Sequence, residues 1–222
     1  MMFSRRRVLL ASAALLGSPW AAHAAASRSI LELRVEYTAT SLNGTDGRTT
    51  PGRLWRTQSA LRHEGKRHGR LLTVIARLDR NLCWLVVAEP RFAIETDLSA
   101  LDLPLDVLKG GGDMRQIREG REWVNGLDTM RVRVERNAGS GSNFTGRVWA
   151  TDQGVIARLA GEGESRGHRG RTLMNFHDVQ IGPLDPGLFE APRGVQLVAI
   201  KGGDLATLLE GMDAAGRLGQ RR

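Results

Sequence analysis

Apolar and polar residues alternate one for one in short stretches through most of this chain, and a clear helical period appears only near its end. Leu31, Leu33, Val35 and Tyr37 alternate with Glu32, Arg34 and Glu36, and Met130, Val132 and Val134 alternate with Arg131, Arg133 and Glu135. A period of two belongs to a strand buried on one face. Strands joined by short turns, without helices between them, pair with their neighbours in sequence. The fold class expected is therefore mainly β, an antiparallel sheet or partial barrel.

The strands expected from this pattern begin with Leu31 to Tyr37, then Gly52 to Thr57 and Ala60 to Glu64. A hairpin of Arg70 to Arg77 and Leu82 to Val87 follows, turned by Asp79-Arg80-Asn81, and Pro90 opens Arg91 to Thr96. Strands resume with Arg115 to Val124, Asp128 to Arg136, Phe144 to Ala150, Val155 to Gly161 and Arg171 to Ile181, the last two joined by a polar tip from Gly163 to Gly170. Between Asp97 and Met114 leucines crowd together after Pro104. That segment reads either as a short helix around Leu105 to Lys109 or as a loop with apolar anchors, and Leu105, Val107 and Leu108 are its candidate lid residues. Asp204 to Ala215 reads as a helix with Leu205, Leu208, Leu209 and Met212 on one face and Asp204 as its cap.

The chain opens with a basic start at Arg5, Arg6 and Arg7, an apolar run from Val8 to Leu16 and a small-residue exit at Ala22-His23-Ala24. This is the layout of a cleavable secretory signal over residues 1–24, too short in its apolar part to span a bilayer. Ser4-Arg5-Arg6-Arg7-Val8-Leu9 is similar to a twin-arginine signal, and an ordinary Sec signal rich in arginine fits as well. The expected location is the periplasm, with one soluble β domain over 25–203 and a C-terminal helix and tail over 204–222. Loss of the three arginines lowers the formal charge from +8 to +5. The remaining arginines alternate with acids along the strands and form no dense cluster, which argues against nucleic acid as a partner.

Candidate chemistry is sparse. Cys83 is the single cysteine and sits in the apolar run Leu82 to Val87, so it reads as a buried, inert thiol. His63 and His68 are five apart across a glycine, the wrong spacing for a metal pair on a helix, and they read as flanking a hairpin turn. Neither Gly110-Gly111-Gly112 nor Gly139-Ser140-Gly141-Ser142 has the surroundings of a phosphate loop or a nucleophile elbow. No cofactor, metal or catalytic residue is expected, although a clustered, buried set of His177, Asp178 and another polar group would reopen the case for an enzyme. The conspicuous residues are apolar. Leu33, Val35, Tyr37, Trp55, Trp84, Phe92, Trp149 and Phe176 are either ordinary core or the lining of a concave face that holds a greasy ligand.

Several segments together resemble the periplasmic LolA/LolB-like lipoprotein carriers. They are Gly52-Arg53-Leu54-Trp55, Asp79-Arg80-Asn81-Leu82-Cys83-Trp84, Gly146-Arg147-Val148-Trp149 with Asp152-Gln153-Gly154, and the run from Asp185-Pro186-Gly187-Leu188-Phe189 to Gly194-Val195. The resemblance implies a strongly curved antiparallel sheet, an unclosed barrel, with a helical lid over a hydrophobic cavity. It implies as partners a hydrophobic ligand or lipoprotein acyl chains. Gln58 stands where the carriers have a lid-latching arginine three residues after the strand tryptophan, and the stretch between Asp97 and Met114 is shorter than their lid. The expected function is a non-enzymatic binding or carrier protein. The alternative is an interaction module that meets an acidic envelope surface, membrane or protein partner without a cavity ligand.

Overall fold

The computed structural model describes residues 32–42, 49–67, 70–88, 91–98, 114–138, 142–165 and 168–200. The expected signal at 1–24, the lid residues Leu105, Val107 and Leu108, and the helix at 204–215 lie outside the described residues.

All twelve strands of the described residues belong to one sheet. In chain order they are β1 (Leu33–Ser41), β2 (Thr49–Arg56), β3 (Ala60–Arg67), β4 (Arg70–Arg77), β5 (Leu82–Val87), β6 (Phe92–Asp97), β7 (Met114–Val124), β8 (Leu127–Ala138), β9 (Ser142–Ala150), β10 (Ile156–Ser165), β11 (His168–Ile181) and β12 (Gln196–Ala199). Their order across the sheet is β12-β6-β5-β4-β3-β2-β1-β11-β10-β9-β8-β7, so β7 and β12 are edges and the sheet is not closed. Each pairing is antiparallel except that of β12, which lies parallel to β6 with Gln196 opposite Phe92. The expected polar tip at 163–170 is shorter than the sequence implied, because β10 runs on through Ser165 and β11 starts at His168.

The sheet bends, and the bends have local causes. Register shifts occur between Arg34 and Glu36 in β1, Ile156 and Arg158 in β10, and Arg118 and Gly120 in β7. Each is a bulge, which coils the local ladder more tightly. At the first of these the extra residue is on β11, opposite β1, and Asp178 there has φ 51, a left-handed conformation uncommon for a residue with a side chain. The backbone carbonyls of Ala157 and Phe176, both beside these bulges, are bonded by the Asn125 side-chain amide from the β7–β8 turn. That hairpin tip thus packs back on the sheet, where Val124, Trp149 and Ala157 form a small cluster.

Alternation sorts the side chains onto two faces. One face carries the main core: Val35, Tyr37 and Ala39 of β1, Leu54 of β2, Leu61 of β3, and on through Cys83, Leu85 and Ile94 to Val132, Val148, Leu159, Met174 and Phe176. The residues between them point to the outer face, where Trp55, Ala60, Ile75 and Trp84 gather around Phe189. Phe189 arrives on a strap. After β11 the chain leaves the sheet beside β1, with Leu184 N–H bonded to Glu32, and makes a 3-10 turn at Pro186–Phe189 capped by the Asp185 carboxylate. Arg62 donates to the Leu188 carbonyl, and Arg77 pairs with Glu190 at 2.6 Å and with Asp79 at 2.8 Å. The chain then reaches the far side of β6 and adds β12, a strand absent from the sequence expectation. Pro186 and Pro192 and the short apolar run of β12 concealed it, since four residues carry too little alternation to read.

Candidate functional site

The residues proposed from sequence as one lining do not share a face. Val35, Tyr37 and Phe176 belong to the main core cluster, and Leu33 and Phe92 pack against it. Trp55 and Trp84 lie on the outer face beneath the strap, and Trp149 lies in the cluster with Val124 and Ala157. Alternation is the cause, because Leu54 and Cys83 occupy the core face and their neighbours must point away. The three tryptophans have other partners. Trp84 Nε1 donates to Glu95 at 2.8 Å and Trp149 Nε1 to Glu122 at 2.8 Å. The guanidinium groups of Arg34, Arg53 and Arg62 stand 5.9, 5.6 and 5.7 Å from the Trp55 ring centroid.

Among the described residues a pocket opens on the core face, lined by Leu33, Val35, Leu54, Arg56, Gly154, Val155, Ile156, Phe176 and Val179. Its walls come from β2, β1, β11 and the start of β10, four consecutive strands of the sheet. In a flat sheet β2 and β10 would stand roughly 14 Å apart at three strand spacings. Their meeting around one small pocket shows that the sheet is curved here toward its core face. The cavity holds about 20 Å³, the room of a single water molecule, within a depression of about 330 Å³ that includes its open mouth. Sequence reasoning found Leu33, Val35 and Phe176 of this set. It missed Arg56, although Leu54-Trp55-Arg56 read with a period of two places Arg56 on the same face as Leu54.

The polar groups of the core face are few. Tyr37 lies flat across β2, because its partner there is Gly52 and any Cβ at that position would strike the phenol ring. Its hydroxyl meets His63 Nε2, with the two rings stacked at 5.7 Å and 19°. Burial pushes the His63 pKa from 6.5 down to about 4, with Glu64 opposing weakly, and pushes the Tyr37 phenol up. His63 Nδ1 is buried without a hydrogen-bond partner. His63 is therefore a neutral residue within β3 and does not flank a turn, while His68 lies outside the described residues. Cys83 is fully buried and burial raises its thiol pKa, which keeps it protonated.

Among the described residues one group has metal-like spacing: ligand atoms of Glu36, His177 and Asp178 lie within 4.8 Å of one another. The sequence flagged His177 and Asp178 only as part of a buried set, and here Asp178 is exposed while Glu36 and His177 are half-buried. The group stands on the outer side of the β1–β11 bulge, where His177 Nδ1 pairs with Asp178 at 2.8 Å and Glu36 pairs with Arg34 at 3.1 Å. Those pairings account for it as a solvent-facing charge group. Among the described residues no helix is long and apolar enough to cross a membrane.

No family model matches the chain, and no curated protein matches it. Solved structures do. The protein PNGF-II shares 11% identity over 84% of this chain, which spans only 33% of PNGF-II, with a TM-score of 0.47. Lipoprotein LppX of Mycobacterium tuberculosis shares 12% identity over 82% of this chain and 96% of its own, with a TM-score of 0.42. A domain described as an outer membrane lipoprotein-sorting protein, from Vibrio parahaemolyticus, shares 8% identity over 82% of this chain and 95% of its own, with a TM-score of 0.37.

Proposed function

We infer that this is a non-enzymatic periplasmic protein that binds a hydrophobic or acylated ligand against the core face of its sheet. The observation that carries this reading is the mouth of the main core: an apolar face built by ten strands opens to the surface where the sheet curves, between β2 and β10. Apolar contact along such a face gives affinity with little directional demand, roughly 25 cal/mol per Å² removed from water. The groups on that face best suited to chemistry are held uncharged, His63 and Tyr37 by burial and Cys83 likewise. A cavity of about 20 Å³ admits a ligand's end and no more, so uptake of a chain requires the side chains at the mouth to move apart.

The test is uptake of the neutral probe N-phenyl-1-naphthylamine by delipidated protein, together with native mass spectrometry of protein purified from the periplasm. Saturable fluorescence enhancement and a co-purified lipid mass are expected. Val155→Asp or Val179→Asp, at the mouth, should abolish probe uptake while the folded far-ultraviolet spectrum persists. No uptake by folded wild-type protein removes the reading.

A further inference from the structure

The ion pairs at the β1–β11 bulge account for the charges of Glu36, His177 and Asp178, but not for their meeting on one face. In a regular strand consecutive side chains point to opposite faces, so His177 and Asp178 could not both stand outward. The register passes from Glu36 opposite His177 to Arg34 opposite Gln180, which leaves Val35 alone against both Asp178 and Val179. That extra residue lets Asp178 turn outward beside His177, at φ 51, while Val179 keeps to the core face and the pocket wall. Glu36 completes the set from across the strand pair. The bulge thus gathers one imidazole and two carboxylates, each offering one ligand atom, all within 4.8 Å of one another.

The imidazole distinguishes this group from an ordinary acidic patch. One nitrogen beside two carboxylate oxygens suits first-row transition ions better than Mg²⁺ or Ca²⁺, which prefer oxygen throughout. His177 Nδ1 and the Asp178 carboxylate stand 2.8 Å apart, the spacing of two neighbouring ligands at about 2.0–2.2 Å from zinc. Two ligands on opposite sides of such an ion are about 4 Å apart, so the widest gap here has to close by less than about 1 Å. Exposed and half-buried side chains can make that move. Arg34 engages Oε1 of Glu36 at 3.1 Å, and the carboxylate has a second oxygen to offer. We propose that the outer side of the bulge is a binding site for a divalent transition-metal ion of the zinc class, held by Glu36, His177 and Asp178 with water completing its shell. Bound there, the ion ties β1 to β11 where their ladder is interrupted. The site stands apart from the hydrophobic-ligand reading and does not depend on it.

The experiment titrates Zn²⁺ into untagged protein stripped of metal by a chelator, read by calorimetry, with and without a large excess of Mg²⁺. One ion per chain with a micromolar dissociation constant is expected, unaffected by Mg²⁺. His177→Ala should weaken that binding by about tenfold or more. Glu36→Gln and Asp178→Asn should each weaken it by about threefold or more, and asparagine tolerates the left-handed backbone at 178, so the bulge stays. Thermal unfolding supplies a second readout: Zn²⁺ should raise the melting temperature of wild-type protein and leave that of His177→Ala unmoved. No Zn²⁺ uptake by folded wild-type protein overturns the site. Uptake that His177→Ala retains in full places the ion at another histidine, and displacement by Mg²⁺ shows a plain acidic patch; either result overturns it as well.

Discussion

The two halves of the outer face solve one problem in opposite ways. Over β2 to β5 the strap lies on the sheet, and the outward residues beneath it are Trp55, Ile75 and Trp84, closed by Phe189. Over β7 to β9, away from the hairpin tip that packs against Trp149, no such cover is described, and the outward residues form a ladder in which Glu119 meets Arg131, Arg133 and Arg147, and Glu122 meets Arg131. An outward strand position is thus apolar where a later segment will cover it and charged where water will. The long free edge of β7 follows the second rule, with Arg115, Arg118 and Arg121 exposed along it, a pattern that discourages pairing with another chain. Trp123, 74% exposed at the end of that edge, is the exception, and nothing in the structure explains it.

If the strap is held chiefly by its aromatic plug, Phe189→Ala should be the most damaging change on the outer face. Phenylalanine lost from a buried cluster costs about 3–5 kcal/mol. Urea titration should show that loss. A fall below about 1 kcal/mol would mean that Arg62, Arg77 and Glu190 hold the strap by themselves, and the contrast between the two halves would then be one of charge alone.

Protons separate the core face from both outer halves. His63 titrates near 4 in the folded chain against 6.5 when unfolded, because burial disfavours its charged form. As pH falls from 6.5 toward 4 the unfolded chain takes up a proton that the folded one refuses, so stability is complete above that window and is lost going down through it. Between pH 7 and pH 4.5 the loss from this residue is about 2–3 kcal/mol. His63→Leu should remove that part of the pH dependence, whatever it does to stability at pH 7. An unchanged slope would show that His63 is hydrated in solution.

The period-two pattern disclosed strands such as β1 and β8, whose inward residues meet the core while their neighbours face out; β5, buried at consecutive positions, read instead as an apolar run. It disclosed the faces less well. Trp55 and Trp84 attract attention by size, yet the choice of face depends on which of two neighbours, Leu54 or Trp55, Cys83 or Trp84, meets the core. That choice was decided by the strap, whose Phe189 lies more than a hundred residues further along the chain. Arg56 was hidden for a different reason: one buried arginine among many exposed ones leaves no local mark. β12 left none either, since its pairing with β6 depends on where the strap ends.

Trp84→Phe sharpens the distinction between a covered face and a ligand face. The phenyl ring keeps most of the packing against Phe189 and loses the indole N–H that Glu95 accepts. A part-buried carboxylate left without its donor costs about 1–2 kcal/mol. Stability should fall by that amount with uptake of N-phenyl-1-naphthylamine unchanged, since the ring faces the strap. Loss of uptake in folded protein would put Trp84 back among the ligand contacts.

The smallest effect belongs to the charge ladder. Glu119 sits among three arginines, and its carboxyl is held below the ordinary range first by the hydrogen bond from Arg147 at 2.8 Å and then by the charges of Arg147, Arg131 and Arg133. Glu119→Gln removes that attraction and leaves three like charges facing one another across β8 and β9. The ladder is in water, so salt should screen both the attraction and the repulsion. The unfolding midpoint should drop slightly at low ionic strength and return to the wild-type value in 0.5 M salt. A drop that survives salt would mean that this half of the sheet is covered in solution, and the contrast with the strap-bound half would disappear.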